Sequence, residues 1–152
     1  MKKIALAALA AVAAIGATTA IAQNAGLRAN FGSVTLNAGF NPDPYNINVV
    51  AGGSINGGGL PGSCNGSISD APDFELTYNA GSFPLAFRTN SGADTTLIIN
   101  GPDGQWYCDD DSGGNRNAQV VFRGPRSGVY DVWVGTFGGG TAQATLSVTE
   151  LP

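Results

Sequence analysis

The 152-residue chain carries seven lysines and arginines against eleven aspartates and glutamates, and it contains no histidine. The lack of histidine excludes Ser-His-Asp and Cys-His catalysis and zinc sites built on imidazole. The formal net charge of −4 argues against nucleic acid or an anionic membrane surface as the partner.

Residues 1–22 have the three parts of a secretory signal peptide. Lys2 and Lys3 precede an apolar, alanine-rich stretch, and Ala20-Ile21-Ala22 provides the small residues of a cleavage site before Gln23. The apolar stretch is shorter than the roughly 20 residues that a transmembrane helix needs, so we expect no membrane insertion. The sequence therefore predicts an exported protein, periplasmic or extracellular, with a single domain over 23–152.

After residue 22, short runs of β-branched and aromatic residues alternate with turn residues. In chain order these runs predict nine strands, at 31–37, 45–50, 73–79, 83–89, 95–100, 105–109, 118–123, 128–136 and 142–149. Strands at this spacing predict an all-β fold, an antiparallel, jelly-roll-like β-sandwich. The glycine-rich stretch 51–72 is predicted to be a loop within this one domain.

Alternation along a strand assigns its side chains to two faces. In the strand 128–136, the predicted core-facing residues are Tyr130, Val132 and Val134, and the predicted exposed residues are Val129, Asp131 and Trp133. Exposed aromatic side chains often contact the ligands of secreted β-sandwiches. The predicted ligand-binding residues are therefore Trp133, Tyr107 and Asp131, with packing of the two aromatic rings in the core or rim as the alternative.

Two cysteines, Cys64 and Cys108, follow the signal peptide. In an oxidising compartment they most simply form a disulfide. A pair of reactive free thiols is the alternative, but no basic neighbour in the sequence would lower a thiol pKa. A disulfide should direct Cys108 inward together with Trp106 and Asp110. The side chains expected to face outward on this stretch are then Tyr107, Asp109 and Asp111.

Three consecutive aspartates, Asp109, Asp110 and Asp111, directly follow Cys108. Neighbouring carboxylates repel one another, and a hard cation such as calcium converts that repulsion into binding free energy. The other candidate oxygen ligands are Asn115 in the following turn and the more distant Asp94, Asp103 and Asp131. The sequence thus predicts a calcium site, and a solvated acidic turn that aids solubility stays open as the alternative.

The segment from Asp94 to Phe137 resembles the bacterial pre-peptidase C-terminal domain family. The motifs that carry this resemblance are Asp94-Thr95, Pro102-Asp103-Gly104, Asp109-Asp110-Asp111 and Gly128-Val129-Tyr130. The similarity extends over about 73–149 and leaves residues 23–60 unaccounted for. The family is similar to the collagen-binding domains of secreted collagenases, so the resemblance implies a β-sandwich that can bind calcium and that accompanies a secreted protease.

These observations together predict a non-catalytic binding or accessory module rather than an enzyme. The expected partner is an extracellular polysaccharide or a protein. One alternative is a structural surface protein that self-associates through strand edges, with 23–30 as the shared segment. A second alternative is a partner or inhibitor of a secreted protease.

Overall fold

A computed structural model of the protein describes residues 23–152, and the predicted signal peptide lies outside the described residues. The described part contains eleven strands and one short 3-10 turn at Gly57–Gly59. The strands are β1 Ser33–Asn37, β2 Tyr45–Gly52, β3 Ile55–Asn56, β4 Ser67–Ile68, β5 Phe74–Asn79, β6 Leu85–Asn90, β7 Thr95–Asn100, β8 Trp106–Asp109, β9 Gln119–Phe122, β10 Gly128–Thr136 and β11 Thr141–Thr149. The all-β prediction is confirmed, and all nine predicted strands are present.

The strands form two sheets. In the first sheet, β10 is central: β5 and then β1 lie on one side, β7 and then β8 lie on the other, and the short β4–β3 pair extends the β5 side. The second sheet has the order β2-β11-β6-β9. All pairings in both sheets are antiparallel except that of β1 with β5, which is parallel.

The main core lies between the two sheets and is built from alternate residues of their strands. Tyr130, Val132 and Val134 all point into it, as predicted. The Tyr130 hydroxyl also accepts a hydrogen bond from the Arg126 backbone N–H and donates one to the Arg126 carbonyl. This buried phenol therefore ties the start of β10 to the turn before it.

The part of the outer face of the first sheet that surrounds Trp133 is also buried, which the sequence did not predict. Residues 53–72, here called the covering segment, hold β3, the 3-10 turn and β4, and they pack on this face. Trp133 is 0 % exposed there and lies among Cys64, Ile68 and Ile98. The predicted exposure of Trp133 is wrong because a second layer of chain replaces solvent on that side of β10.

Glycine allows the covering segment to approach the sheet closely. A Cβ atom on Gly57 would lie 2.4 Å from Ile98 Cδ1, and one on Gly135 of β10 would lie 2.9 Å from Ile68 Cγ2 of the covering segment. The stretch 51–72 was predicted to be a loop because it is rich in glycine, and in the structure it forms part of a packed layer.

The predicted disulfide between Cys64 and Cys108 is present, with the two Cα atoms 5.1 Å apart. It joins the covering segment to β8. Trp106 and Cys108 do share a face, as predicted, but it is the outer face of the first sheet, where Trp106 packs 5.5 Å from Trp133 between ring centroids.

Tyr107 consequently points the other way, toward the main core, where its ring makes an edge contact with Phe122 at a centroid distance of 4.8 Å. The prediction that Tyr107 faces solvent is wrong because the sheet buries both of its faces here.

The N-terminal segment, residues 23–32, is docked on the same domain. The Asn30 backbone N–H donates to the Pro72 carbonyl, and the Phe31 N–H donates to the Asp73 carbonyl, both at 2.8 Å. Gln23 and Ala29 are buried. The stretch 23–30, considered above for strand sharing, is therefore engaged within its own fold. Within residues 23–152, no helix has the length and apolarity needed to cross a membrane.

Candidate functional site

Three carboxylates meet at one end of the β7–β8 hairpin. Asp94 immediately precedes β7, and Asp110 and Asp111 immediately follow β8. The antiparallel register pairs Leu97 with Asp109, so the start of β7 and the end of β8 lie side by side. One oxygen from each of Asp94, Asp110 and Asp111 lies within 4.8 Å of the others. We call these three residues the acidic cluster.

Asp110 is the most unusual member of the acidic cluster. Its Oδ2 accepts a hydrogen bond from Asn65 Nδ2 at 3.2 Å, whereas its Oδ1 is buried and has no hydrogen-bond partner. Burial raises the pKa of Asp110, and the negative charges of Asp111, Asp94 and Asp109 add to the rise while the Asn65 bond opposes it. A buried carboxylate oxygen without a donor is costly unless a ligand meets it.

Asp109 has a different role from its two neighbours. Its carboxylate accepts hydrogen bonds from the Ser112 N–H at 2.9 Å, the Ser112 hydroxyl at 2.5 Å and the Gln119 N–H at 2.8 Å. These bonds close the turn after β8 and connect it to β9. The structure therefore leaves the predicted metal ligand Asp109 outside the acidic cluster, because alternation turns its side chain toward β9.

The other predicted ligands lie elsewhere. Asp103 lies at the opposite end of the hairpin and accepts from the Tyr107 hydroxyl at 2.7 Å, a bond that lowers the pKa of Asp103. Asn115 is exposed in the turn before β9, with a φ of 53°. Asp131 lies in the middle of β10, opposite Glu75, and its predicted exposure is wrong because the neighbouring strands bury it. Of the predicted set, the structure brings together Asp94, Asp110 and Asp111.

The donor set of the acidic cluster fits a hard cation. Calcium binds six to eight oxygens and tolerates irregular geometry. The three carboxylates offer that chemistry, and the unpartnered Asp110 Oδ1 is a ligand atom without a competing bond. Asn65 fixes the other oxygen of Asp110 and adds a side-chain carbonyl nearby. Since Cys64 precedes Asn65, the disulfide places this support beside the cluster.

One exposed aromatic ring belongs to the same end of the domain. Phe137 is 57 % exposed, and its backbone N–H donates to the Asp94 carbonyl at 3.0 Å. No sequence pattern identifies Phe137 as exposed, because it follows β10 in a glycine-rich turn, where alternation assigns no face. The exposed residues of this end thus include the acidic Asp111, the aromatic Phe137 and the basic Arg116, whose carbonyl accepts from the Thr95 N–H at 3.0 Å.

No protein-family model and no curated protein matches the chain. Among solved structures, the chain is similar to PliG of Aeromonas hydrophila, a periplasmic lysozyme inhibitor of g-type lysozyme. The two are 15 % identical, the match covers 78 % of this chain and 96 % of that chain, and the TM-score is 0.40. The resemblance to the pre-peptidase C-terminal domain stays a prediction.

Proposed function

We propose that this protein is an exported, non-catalytic binding module that uses calcium to order the surface with which it contacts its partner. The observation that carries the proposal is the buried Asp110 Oδ1, which has no hydrogen-bond donor and adjoins two further carboxylates. Two unit charges about 5 Å apart repel by roughly 0.8 kcal/mol even in water. A bound cation reverses this repulsion and supplies the missing partner of Asp110.

The ion would act through the segments that its ligands belong to. Asp94 precedes β7 and is bonded to Phe137, Asp110 and Asp111 begin the turn into β9, and Asn65 belongs to the covering segment. Calcium held by the cluster would therefore fix three neighbouring loops at once. The partner, a protein or a polysaccharide, would contact this end of the domain, with Phe137 as the exposed aromatic contact.

The composition of the domain restricts any catalysis to carboxylates, tyrosine and arginine, which favours a non-catalytic role. Without histidine, and with lysine only at positions 2 and 3, the domain lacks the usual bases and nucleophile partners. The acidic cluster offers oxygen ligands at a surface rather than an acid–base pair across a substrate cleft. Calcium in this protein would stabilise structure.

The test is thermal unfolding of the purified protein in chelator and in excess calcium, followed by circular dichroism. A ligand that binds only the folded state at 100 times its Kd stabilises it by about 2.7 kcal/mol, which corresponds to roughly 8 °C for a domain of this size. We expect this shift in the wild type and its loss in the Asp110→Asn/Asp111→Asn variant.

Asp109→Asn is the matched control, because it removes a neighbouring negative charge from the same acidic run. This variant should unfold at a lower temperature, since Asp109 closes the turn, but it should keep the calcium shift. Identical melting curves of the wild type in chelator and calcium would reduce the acidic cluster to a solvated turn and overturn the proposal.

A further inference from the structure

A groove lies on the opposite side of β10 from the β7–β8 hairpin. It has a volume of about 720 Å³ and is bounded by 25–29 of the N-terminal segment and by Gly32, Ser33 and Glu75. Glu75 and Ser33 are paired across β5 and β1, so the floor of the groove is the outer face of the first sheet near its edge. The groove and the acidic cluster share no residue.

A second carboxylate lies next to Glu75, on the strand behind the groove floor. Asp131 of β10 lies directly opposite Glu75 of β5 in the antiparallel register, which places their Cβ atoms about 5 Å apart. Asp131 is 7 % exposed, and its Oδ1 is buried without any hydrogen-bond partner. Glu75 is half-buried and reaches the groove. Glu75 therefore lies between the groove and the buried, unpartnered oxygen of Asp131.

The electrostatic environment of Asp131 lacks a compensating cation. Burial, together with the smaller effect of the negative charge of Glu75, raises the pKa of Asp131 to about 6. Arg28 lines the groove, but its side chain is exposed and does not lower the pKa of Asp131. Burying a carboxylate without a hydrogen-bond donor or a positive partner is unfavourable. A ligand that supplies a donor and a positive charge would remove this cost and bind more tightly for that reason.

We propose that the groove binds an alkyl chain that ends in an ammonium or guanidinium group, with the cationic head at Glu75 and Asp131. The shape favours such a chain over a bare metal ion. Among residues 23–152, the group of three or more carboxylates close enough to hold a metal is the acidic cluster, and the groove offers only this pair. Leu27, partly exposed on the groove wall, gives the alkyl stem an apolar contact.

Two sources can present this chemistry, a lysine or arginine side chain of a partner protein and a free diamine. The inference adds a second site to the binding module proposed above. It does not depend on calcium, because its residues and those of the acidic cluster are separate.

The experiment is an NMR titration of the isotope-labelled protein with four probes. They are N-acetyl-lysine methylamide, putrescine, the uncharged N-acetyl-norleucine methylamide and calcium chloride. We expect the two cationic probes to shift the Glu75 and Asp131 resonances and norleucine to leave them unchanged. Tighter binding of the lysine derivative indicates a protein side chain as the natural ligand, and tighter binding of putrescine indicates a free diamine.

Three variants sharpen the test. Asp131→Asn and Glu75→Gln keep the side-chain size and remove one charge each, and either should weaken cation binding at least about tenfold. Arg28→Gln removes a like charge from the groove wall and should tighten binding by about twofold, a gain that a merely damaged fold would not give. All three should keep the wild-type calcium shift in thermal unfolding, which separates failure of this inference from failure of the calcium proposal.

Several results would overturn the inference. One is the absence of binding by both cationic probes, and another is equal binding of norleucine. A third is unchanged affinity in a folded Asp131→Asn variant. Calcium that shifts the Glu75 and Asp131 resonances and loses this effect in Asp131→Asn would assign the pair to a metal instead.

Discussion

Asp73 is a buried carboxylate whose ionisation should make the protein less stable as the pH rises toward neutrality. It is 1 % exposed and accepts hydrogen bonds from the Val134 N–H at 2.7 Å, the Ser69 hydroxyl at 3.2 Å and the Asn30 amide at 3.5 Å. Burial outweighs these bonds and raises its pKa from 3.8 to about 6. The folded state therefore holds a proton that the unfolded state has already lost between these two values.

The sign and size follow from linkage. Because the folded pKa is the higher one, the contribution of Asp73 is most favourable below pH 3.8 and declines as the pH rises through about 6. A difference of about 2 pKa units corresponds to roughly 3 kcal/mol over the whole range, and to about 1 to 1.5 kcal/mol between about pH 5 and about pH 7.5. The variant Asp73→Asn removes this dependence while keeping an oxygen for Val134.

The assay is urea denaturation of the wild type and Asp73→Asn at both pH values, followed by far-UV circular dichroism. We expect the wild type to lose about 1 kcal/mol more than the variant between the lower and the higher pH. Asp131→Asn should reduce the pH dependence in the same direction, since the pKa of Asp131 is also raised to about 6. Parallel pH profiles of the wild type and Asp73→Asn would refute the reasoning.

Two further predictions concern the covering layer. Trp133→Ala should destabilise the protein by about 3 to 5 kcal/mol in urea denaturation because it removes a fully buried ring, whereas Val129→Ala on the exposed part of β10 should cost less than about 1 kcal/mol. A loss at Trp133 no larger than that at Val129 would contradict the buried assignment. Replacing Cys64 and Cys108 by serine opens a loop with a sequence separation of 44 and should cost about 4 kcal/mol. Equal denaturation midpoints of this variant and the wild type would show that the covering segment does not need its covalent anchor.

The sequence predicted the strands well because each long strand carries its own pattern of β-branched and aromatic residues between turn residues. It missed β3 and β4 because two-residue strands in a glycine-rich stretch have no local pattern. The two faces of β10 were assigned correctly, but the face that bears Trp133 was wrongly predicted to be exposed to solvent. Alternation separates Trp133 from Tyr130, but only the tertiary position of the covering segment decides whether Trp133 meets solvent.

The acidic cluster shows the same division between local and tertiary information. The expectation that Asp110 points inward follows from the alternation that starts at Cys108, and the structure gives it a buried oxygen. The proximity of Asp110 to Asp94 depends on the register of the β7–β8 hairpin. The distance of Asp103 from the acidic cluster depends on the length of β8. The Glu75–Asp131 pair joins strands more than 50 positions apart in sequence, a contact that no local pattern indicates.

The position of the two tryptophans has a spectroscopic consequence. The chain has two, Trp106 and Trp133, and both pack beneath the covering segment rather than in the main core. Their intrinsic fluorescence is therefore a local reporter of this outer layer, while the phenols of Tyr78 and Tyr130 report on the space between the sheets. Emission that changes before the circular dichroism during unfolding would show the covering layer to be a separate cooperative unit.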